Sequence, residues 1–162
     1  MNGAGGVLGW LEASPLSLAM RSSLWLYPIV EIFHILGFVL LVGSVAMFDL
    51  RVLGWSRSVP VPALGRHLLP WSAASLLLIV PAGLLMFSAH PHDFIGNRVF
   101  QLKLGLIAAA GINALVFHLG IYRSVAGWAT GVPAPPAARL QALASLAIWA
   151  AVVSCGRLLA YT

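Results

Sequence analysis

Apolar residues occur along this chain in four long runs, and a short polar stretch separates each run from the next. The runs cover residues 25–48, 68–89, 99–122 and 140–160. Each run is close to the roughly 20 residues that a helix needs to cross the hydrocarbon core of a bilayer. The stretches between them carry Gly, Pro, Ser and Arg, which end helices or prefer water. The pattern therefore predicts four membrane-spanning helices.

Short connections make neighbouring helices antiparallel, so residues 25–162 are expected to form one all-α, up-down-up-down four-helix bundle. Residues 1–24 are apolar but interrupted by Ser14 and Pro15. No basic region precedes a long apolar core there, which argues against a cleaved signal peptide. We expect a short helix in the membrane interface, with Trp10 at the depth of the headgroups.

Composition supports a membrane location. The chain has 162 residues, of which 60% are hydrophobic and only 8% are charged, whereas soluble domains carry about 25% charged residues. The net charge of +5 comes from too few groups to form a nucleic-acid-binding patch. The sequence also lacks a Gly-rich phosphate loop, a nucleophile elbow and clustered cysteines. These observations predict an integral membrane protein in a lipid bilayer and exclude the soluble enzyme classes.

The arginines are distributed unequally between the two sides of the predicted bundle. Five lie on the side of the first and third connections, against two in water on the side of the termini, and cationic loops favour the cytoplasm. We therefore expect a bacterial inner-membrane protein with both termini in the periplasm. The five are Arg51, Arg57, Arg66, Arg123 and Arg139, and the two are Arg21 and Arg98.

Ionisable residues inside the apolar runs point to a functional site, because charges are costly in a membrane interior. Glu31 and His34 stand one helical turn apart in the first run, Lys103 lies in the third and Arg157 in the fourth. At about 1.5 Å per residue, all four fall in the same half of the bilayer. We expect them to form one polar site contributed by three helices.

A second polar group is expected in the opposite half, near the ends of the first three helices. Most of its members can extend to the headgroups without any function. His118 is the exception, because apolar residues surround it and place it within the span. The group comprises Asp49, Arg51, Arg66, His67, His118 and Arg123.

The leading functional hypothesis is a b-type haem. Imidazole is a common axial ligand of haem iron, and four-helix bundles hold cofactors between facing helices. His34 and His118 are the first candidate iron ligands and His67 the third. Lys103 and Arg157 would neutralise haem propionates or a quinone-derived anion. Aromatic residues that could wall a porphyrin are Phe33, Phe48, Phe87, Phe100, Phe117 and Trp149.

Several alternatives remain open at this stage. The depths of His34 and His118 differ by roughly 12 Å, which is awkward for one bis-histidine haem and makes His67 with His118 a better pair. Glu31 would orient His34 or accept its proton, and a quinone or a membrane redox protein would exchange electrons with the haem. A buried Glu–His pair also suits a proton-coupled or ion transporter component, which would have to form a homo-oligomer. A non-catalytic accessory subunit would use the same charges to fix helix register.

Three further residue groups favour structural roles. His90, His92 and Asp93 have a spacing that could bind a transition metal, but a solvated loop is the simpler interpretation. Asn113, in the middle of the third run, is expected to hydrogen-bond across helices. Cys155 lies alone in the fourth run, where a free cysteine behaves as a small apolar residue.

The segments EIFHILGFVLLVGSVAMFDLRVLG, GRHLLPW, VFQLKLGLIAAAGINALVFH and SCGRLLAYT resemble a family of small, uncharacterised bacterial four-helix membrane proteins. A first-span histidine, a lysine-leucine pair opening the third span and a histidine near its end are more distantly similar to membrane-type protoporphyrinogen oxidase and to the copper-resistance D membrane domain. The resemblance to the oxidase implies haem or porphyrin handling by His34 and Lys103.

Overall fold

The computed structural model describes residues 6–128 and 131–161, and it is 84% helical without strands in that part of the chain. Two short helices precede the first long one, and a further short helix separates the second and third long ones. The helices are α1 (Val7–Glu12), α2 (Pro15–Ser22), α3 (Leu26–Leu53), α4 (Val61–Ala89), α5 (Pro91–Gly96), α6 (Arg98–Leu119), a 3-10 helix (Ile121–Gly127) and α7 (Pro136–Leu158).

Helices α3, α4, α6 and α7 are each long and apolar enough to cross a membrane. Most of their large apolar side chains face outward, as lipid contact requires. The protein is therefore a multi-pass integral membrane protein, and the predicted all-α four-helix bundle is confirmed.

The helices do not end where the apolar runs end. α3 continues through Arg51 to Leu53, and α4 begins at Val61, where Pro60 and Pro62 favour a helix start. α6 ends at Leu119, earlier than the predicted span, because Gly120 leaves the helical conformation. Apolar runs report which residues meet hydrocarbon, whereas helices extend into the interface as long as backbone hydrogen bonding allows.

The four long helices follow one another in space in the order α4, α3, α7, α6. α3 packs along α4 and α7, and α7 packs along α6. No Cα atom of α6 lies within 8 Å of a Cα atom of α3 or α4. The last helix of the bundle therefore lies between two helices that precede it in the sequence.

One end of the bundle, here called the 3-10 end, has a continuous apolar core. This cluster takes side chains from all four long helices and from the connection before α7. Its central aromatic pair is Phe48 and Phe117, with ring centroids 5.8 Å apart. The buried members are Phe48, Val52, Val61, Phe117, Trp128, Ala134, Ala138 and Ala142.

The opposite end, here called the α5 end, has a smaller core that joins only α2, α3 and α4. Its buried members are Met20, Val30, Ala82 and Ala89. α4 and α6 meet at this end through aromatic rings instead: Phe87 and Phe100 stack 5.9 Å apart, with Phe94 of α5 beside them. This cluster contains no residue of α6 or α7; the buried Val152 and Cys155 of α7 lie outside it.

The segment before α3 differs from the single interfacial helix expected for residues 1–24. Within residues 6–24 it forms α1 and α2, and α2 is docked on α4 because the buried Ser17 hydroxyl donates to the Ser88 carbonyl at 2.7 Å. Arg21 donates to the carbonyls of Glu12 and Ala89 at 2.8 and 3.1 Å. Trp10 remains exposed, in keeping with a position among headgroups.

Candidate functional site

His34 lies on the face of α3 that packs against α4. Its Nδ1 is 3.0 Å from the carbonyl oxygen of Ile79, and a carbonyl can only accept, so Nδ1 carries the proton and donates. The ring occupies space that exists because residue 83 is glycine: a Cβ there would lie 3.1 Å from His34 Cε1. In the neutral ring this hydrogen bond leaves Nε2 unprotonated, and Nε2 has no hydrogen-bond partner among the described residues.

Two aromatic rings continue from His34 toward α7. The Phe38 centroid lies 5.7 Å from that of His34, and the Trp149 ring meets Phe38 edge-on at 5.9 Å. Trp149 was among the predicted wall residues; Phe38, one turn after His34, was not. The other predicted aromatics lie elsewhere: Phe48 and Phe117 at the 3-10 end, Phe87 and Phe100 in the trio with Phe94, and Phe33 on the exposed face of α3.

Lys103 reaches the same place from α6. Its Nζ lies over the Phe38 ring, 5.6 Å from the centroid, and 3.8 Å from where a Cβ on Gly156 of α7 would be. Its charge acts on the nearby His34. His34 and Lys103, from helices whose backbones do not touch, are thus brought together around Phe38. We call His34, Phe38, Lys103 and Trp149 the His34 site.

The half-buried ammonium of Lys103 has no carboxylate within 4 Å in the described part of the chain. Its cation–π contact with Phe38 compensates for only part of the lost hydration. A cation at this depth is normally paired. The site therefore presents a positive charge that an anionic group could neutralise.

The other two residues of the predicted polar site lie at its edge. Glu31 is exposed and acts electrostatically on His34 and Tyr27, without an ion pair. Arg157 is exposed and directed toward Tyr161, to whose hydroxyl it donates and on whose ring it stacks at 4.7 Å. The structure therefore places two of the four predicted residues, His34 and Lys103, beside the same ring and leaves the other two exposed.

His118 lies at the 3-10 end, beside Tyr122 with ring centroids 5.1 Å apart. Its neighbour Phe117 packs against Phe48, which is 14 residues beyond His34 on α3, or about 21 Å along the helix axis. His118 and His34 cannot bind one iron at that separation. His67 is exposed, and it lies at the same end as His118, two residues from Gly65, where Tyr122 packs.

No group of three or more His, Cys, Asp or Glu side chains among the described residues could hold a metal ion. His90 and His92 belong to α5 and its N-cap rather than to the loop expected from the sequence. His90 lies 3.7 Å from Asp93, and His92 lies 3.6 Å from Glu12 of α1. The first pair lies within α5 and its N-cap, and the second joins α5 to α1.

Asp49 was expected to extend to the headgroups, but it is buried between α3 and α7 with only 7% of its surface exposed. The hydroxyl of Ser145 on α7 interacts with its carboxylate. Nearby on the same helix, the Gln141 carbonyl accepts from Asn113 Nδ2 at 3.1 Å, which is the cross-helix bond expected of Asn113. Sequence alone gives no sign that Ser145 would face Asp49, because the contact depends on how α3 and α7 pack.

An apolar groove of about 390 Å³ lies along α3 and α7, and Trp149 forms part of its wall. None of its lining residues can bind a metal or a charge, so it offers room for an apolar substituent or a lipid chain only. The lining residues are Val42, Ala46, Leu146, Trp149, Ala150 and Val153.

Comparisons of the chain with protein-family models, with curated proteins and with solved structures find no match.

Proposed function

We propose that this membrane protein binds a b-type haem or a related porphyrin at the His34 site and takes part in electron transfer. The observation that carries the proposal is that an imidazole whose Nε2 has no hydrogen-bond partner and an ammonium without a carboxylate partner, both among the described residues, lie beside the same aromatic ring, Phe38. The four-helix location between apolar helices is where bundles hold cofactors.

His34 has the arrangement of a metal-binding histidine. In such residues, one ring nitrogen binds the metal while the other donates to a carbonyl or carboxylate, which fixes the ring orientation. The Ile79 carbonyl fills that role here. The residues fit a porphyrin with a single histidine ligand, since His67 and His118 lie at the other end of the bundle.

Lys103 supplies the charge that a porphyrin carboxylate needs. An ammonium in a partly dry site forms a stronger ion pair than in water, and Phe38 and Trp149 would exclude water from the same side. The distant likeness to membrane-type protoporphyrinogen oxidase involves the same two residues, His34 and Lys103. Bound haem would supply one-electron transfer, and His34, Ile79 and Lys103 would hold it in place.

The test is the visible absorption spectrum of the purified protein, oxidised and then dithionite-reduced, after expression with a haem precursor. We expect a Soret band and reduced α and β bands that His34→Ala removes and His118→Ala leaves unchanged. Lys103→Met should weaken haem binding without abolishing the band. Fluorescence titration with protoporphyrin lacking iron separates porphyrin binding from iron ligation, because only the iron requires His34 Nε2.

Two glycines provide a matched pair of variants. Gly83→Ala introduces a Cβ 3.1 Å from His34 Cε1 and should displace the ring, weakening haem binding by about tenfold or more. Gly156→Ala places its Cβ 3.8 Å from Lys103 Nζ, an ordinary contact, and should bind like the wild type. A featureless spectrum from folded wild-type protein, or a band that depends on His118 instead, would overturn the proposal.

We further propose a bacterial inner-membrane location with the α5 end in the periplasm and a quinone or membrane redox protein as electron partner. The support is the excess of arginines in the connections at the 3-10 end. Reporter fusions after α7 check the orientation: an alkaline phosphatase fusion should be active and a fluorescent protein fusion dark. Mass measurement of the detergent-purified protein checks whether it forms homo-oligomers.

A further inference from the structure

Asp49 lies one turn before the end of α3, buried between α3 and α7. Its Oδ2 atom is shielded from solvent and has no hydrogen-bond partner among the described residues. The neighbouring polar group is the hydroxyl of Ser145, itself buried on α7. An ionised carboxylate would thus be surrounded by one hydroxyl and by apolar side chains.

No cation neutralises this carboxylate. The described part of the chain places no Lys, Arg or His nitrogen within 4 Å of Asp49. Arg51, the nearest charge in sequence, directs its guanidinium away, to the carbonyls of Val59 at 2.5 Å and Arg57 at 3.4 Å. The other charged or titratable residues at the 3-10 end, none of which pairs with Asp49, are Arg57, Arg66, His67, His118, Tyr122, Arg123 and Arg139.

A buried, unpaired charge is one of the most unfavourable arrangements in a protein, and neutralisation is the usual escape. A metal cation would need several more oxygen ligands than one carboxylate and one hydroxyl provide. A proton needs none. We propose that Asp49 is a proton-binding site at the α3–α7 interface, occupied when these two helices are packed as in this structure.

Proton binding at Asp49 is thermodynamically linked to the packing of α3 against α7. Loss of the proton would leave an anion between the helices, so ionisation favours their separation or the entry of water. This site lies about 20 Å from the His34 site along the bundle axis. It therefore requires neither haem nor any other ligand at the α5 end.

Infrared spectroscopy of the full chain in nanodiscs tests the proposal, because a protonated carboxyl has a C=O band that an ionised one lacks. At neutral pH we expect one such band that shifts in D2O, disappears in Asp49→Asn and remains in Glu31→Gln. Glu31→Gln is the matched control because Glu31 is the other carboxylate of α3 but is exposed.

Ser145→Ala keeps the proposal testable if Asp49→Asn does not fold. Removing the hydroxyl removes a polar group that interacts with the carboxyl, so the C=O band should move to higher frequency without losing intensity. In addition, alkaline pH should increase the reaction of a cysteine reagent with the buried Cys155 of α7 more in the wild-type protein than in Asp49→Asn, which corrects for the general rise of thiol reactivity with pH. A spectrum without a protonated carboxyl band, or a band that neither Asp49→Asn nor Ser145→Ala changes, would refute it.

Discussion

At the 3-10 end, side chains from all four long helices share one buried apolar cluster, whereas at the α5 end the buried cluster joins only α2, α3 and α4. His34 and Lys103 approach each other where the second cluster stops, one from α3 and the other from α6. The apolar cluster is thus larger and joins more helices at one end than at the other, and the His34 site lies at the end with the smaller cluster.

Each end also contains an ionisable side chain that forms no ion pair within the described part of the chain, and the surroundings of these two side chains differ. Lys103 is half-buried, carries a long flexible side chain and can accept an anionic partner from outside. Asp49 is buried, with 7% of its surface exposed and its Oδ2 shielded from solvent, so only a very small ligand can reach that oxygen. Lys103 therefore suits a ligand's acidic group, and Asp49 suits a proton.

The largest effect is expected from opening the core of the 3-10 end. Phe117→Ala removes a ring that contacts Phe48, Tyr122 and Trp128 and should cost about 3–5 kcal/mol of unfolding free energy. Leu115→Ala is the control, since Leu115 on the same helix is exposed to lipid and should change stability little. Unfolding by SDS in mixed micelles measures both, and equal losses would contradict the comparison of the two ends.

A smaller loss of unfolding free energy is expected when an additional Cβ atom is placed in the same core. In Gly65→Ala, the new Cβ would lie 2.5 Å from the Tyr122 hydroxyl oxygen and 3.3 Å from Phe48 Cε2, which should cost about 1–3 kcal/mol. Adding Tyr122→Phe removes the clashing oxygen and should restore part of the loss. Gly111→Ala, where a Cβ meets no atom within 4 Å, should not destabilise. If the double variant were no more stable than Gly65→Ala, this contact would not be the cause.

At the α5 end, Lys103→Met should change the stability of the ligand-free protein by less than about 1 kcal/mol, because it removes a charge that has no partner. The same SDS unfolding assay measures the change. A loss as large as that of Phe117→Ala would mean that Lys103 holds α6 and α7 against α3, and the His34 site would then be structural.

The smallest effect on stability is expected from the ionisation of Tyr122, in the 3-10 helix. Burial raises the pKa of Tyr122 above its ordinary value of about 10, and the nearby Arg66 offsets part of the rise. Folding therefore favours the neutral phenol. The contribution of the neutral phenol to stability is complete below the ordinary pKa and is lost as the pH rises through the pKa of the folded state. Phenolate absorbance during alkaline titration should show a late component that Tyr122→Phe removes. A titration curve unchanged in that variant would mean that Tyr122 is solvated.

The sequence predicts the fold correctly where the length of an apolar run determines the structure. Runs of about 20 apolar residues leave few alternatives in a membrane, so the four spanning helices could be predicted. Their bounds could not, because interfacial residues such as Arg51 extend a helix without being apolar. The docking of α2 through Ser17 was also not predictable, since a serine carries no signal of its partner.

For the His34 site, depth along the helices was the only information available. It grouped His34 with Lys103, and the structure places both side chains beside Phe38. It could not reveal helix rotation, which exposes Glu31 and Arg157. The sequence does contain a signal for Phe38, because residues four apart lie on the same face of a helix. The depth estimate also gave too short a distance between His34 and His118. It did not include the shift of α6 along α3, which the contact between Phe48 and Phe117 fixes.

The spatial order α4, α3, α7, α6 has a consequence for biogenesis. During synthesis α3 and α4 can pair as soon as both have left the ribosome, but α6 packs along a long helix at backbone level only when α7 follows. Until then, Asn113 lacks its hydrogen-bond partner, the Gln141 carbonyl of α7. Insertion of α7 brings Ser145 to Asp49, Trp149 to Phe38 and Gly156 to Lys103, so the last helix to be made completes both ends of the bundle.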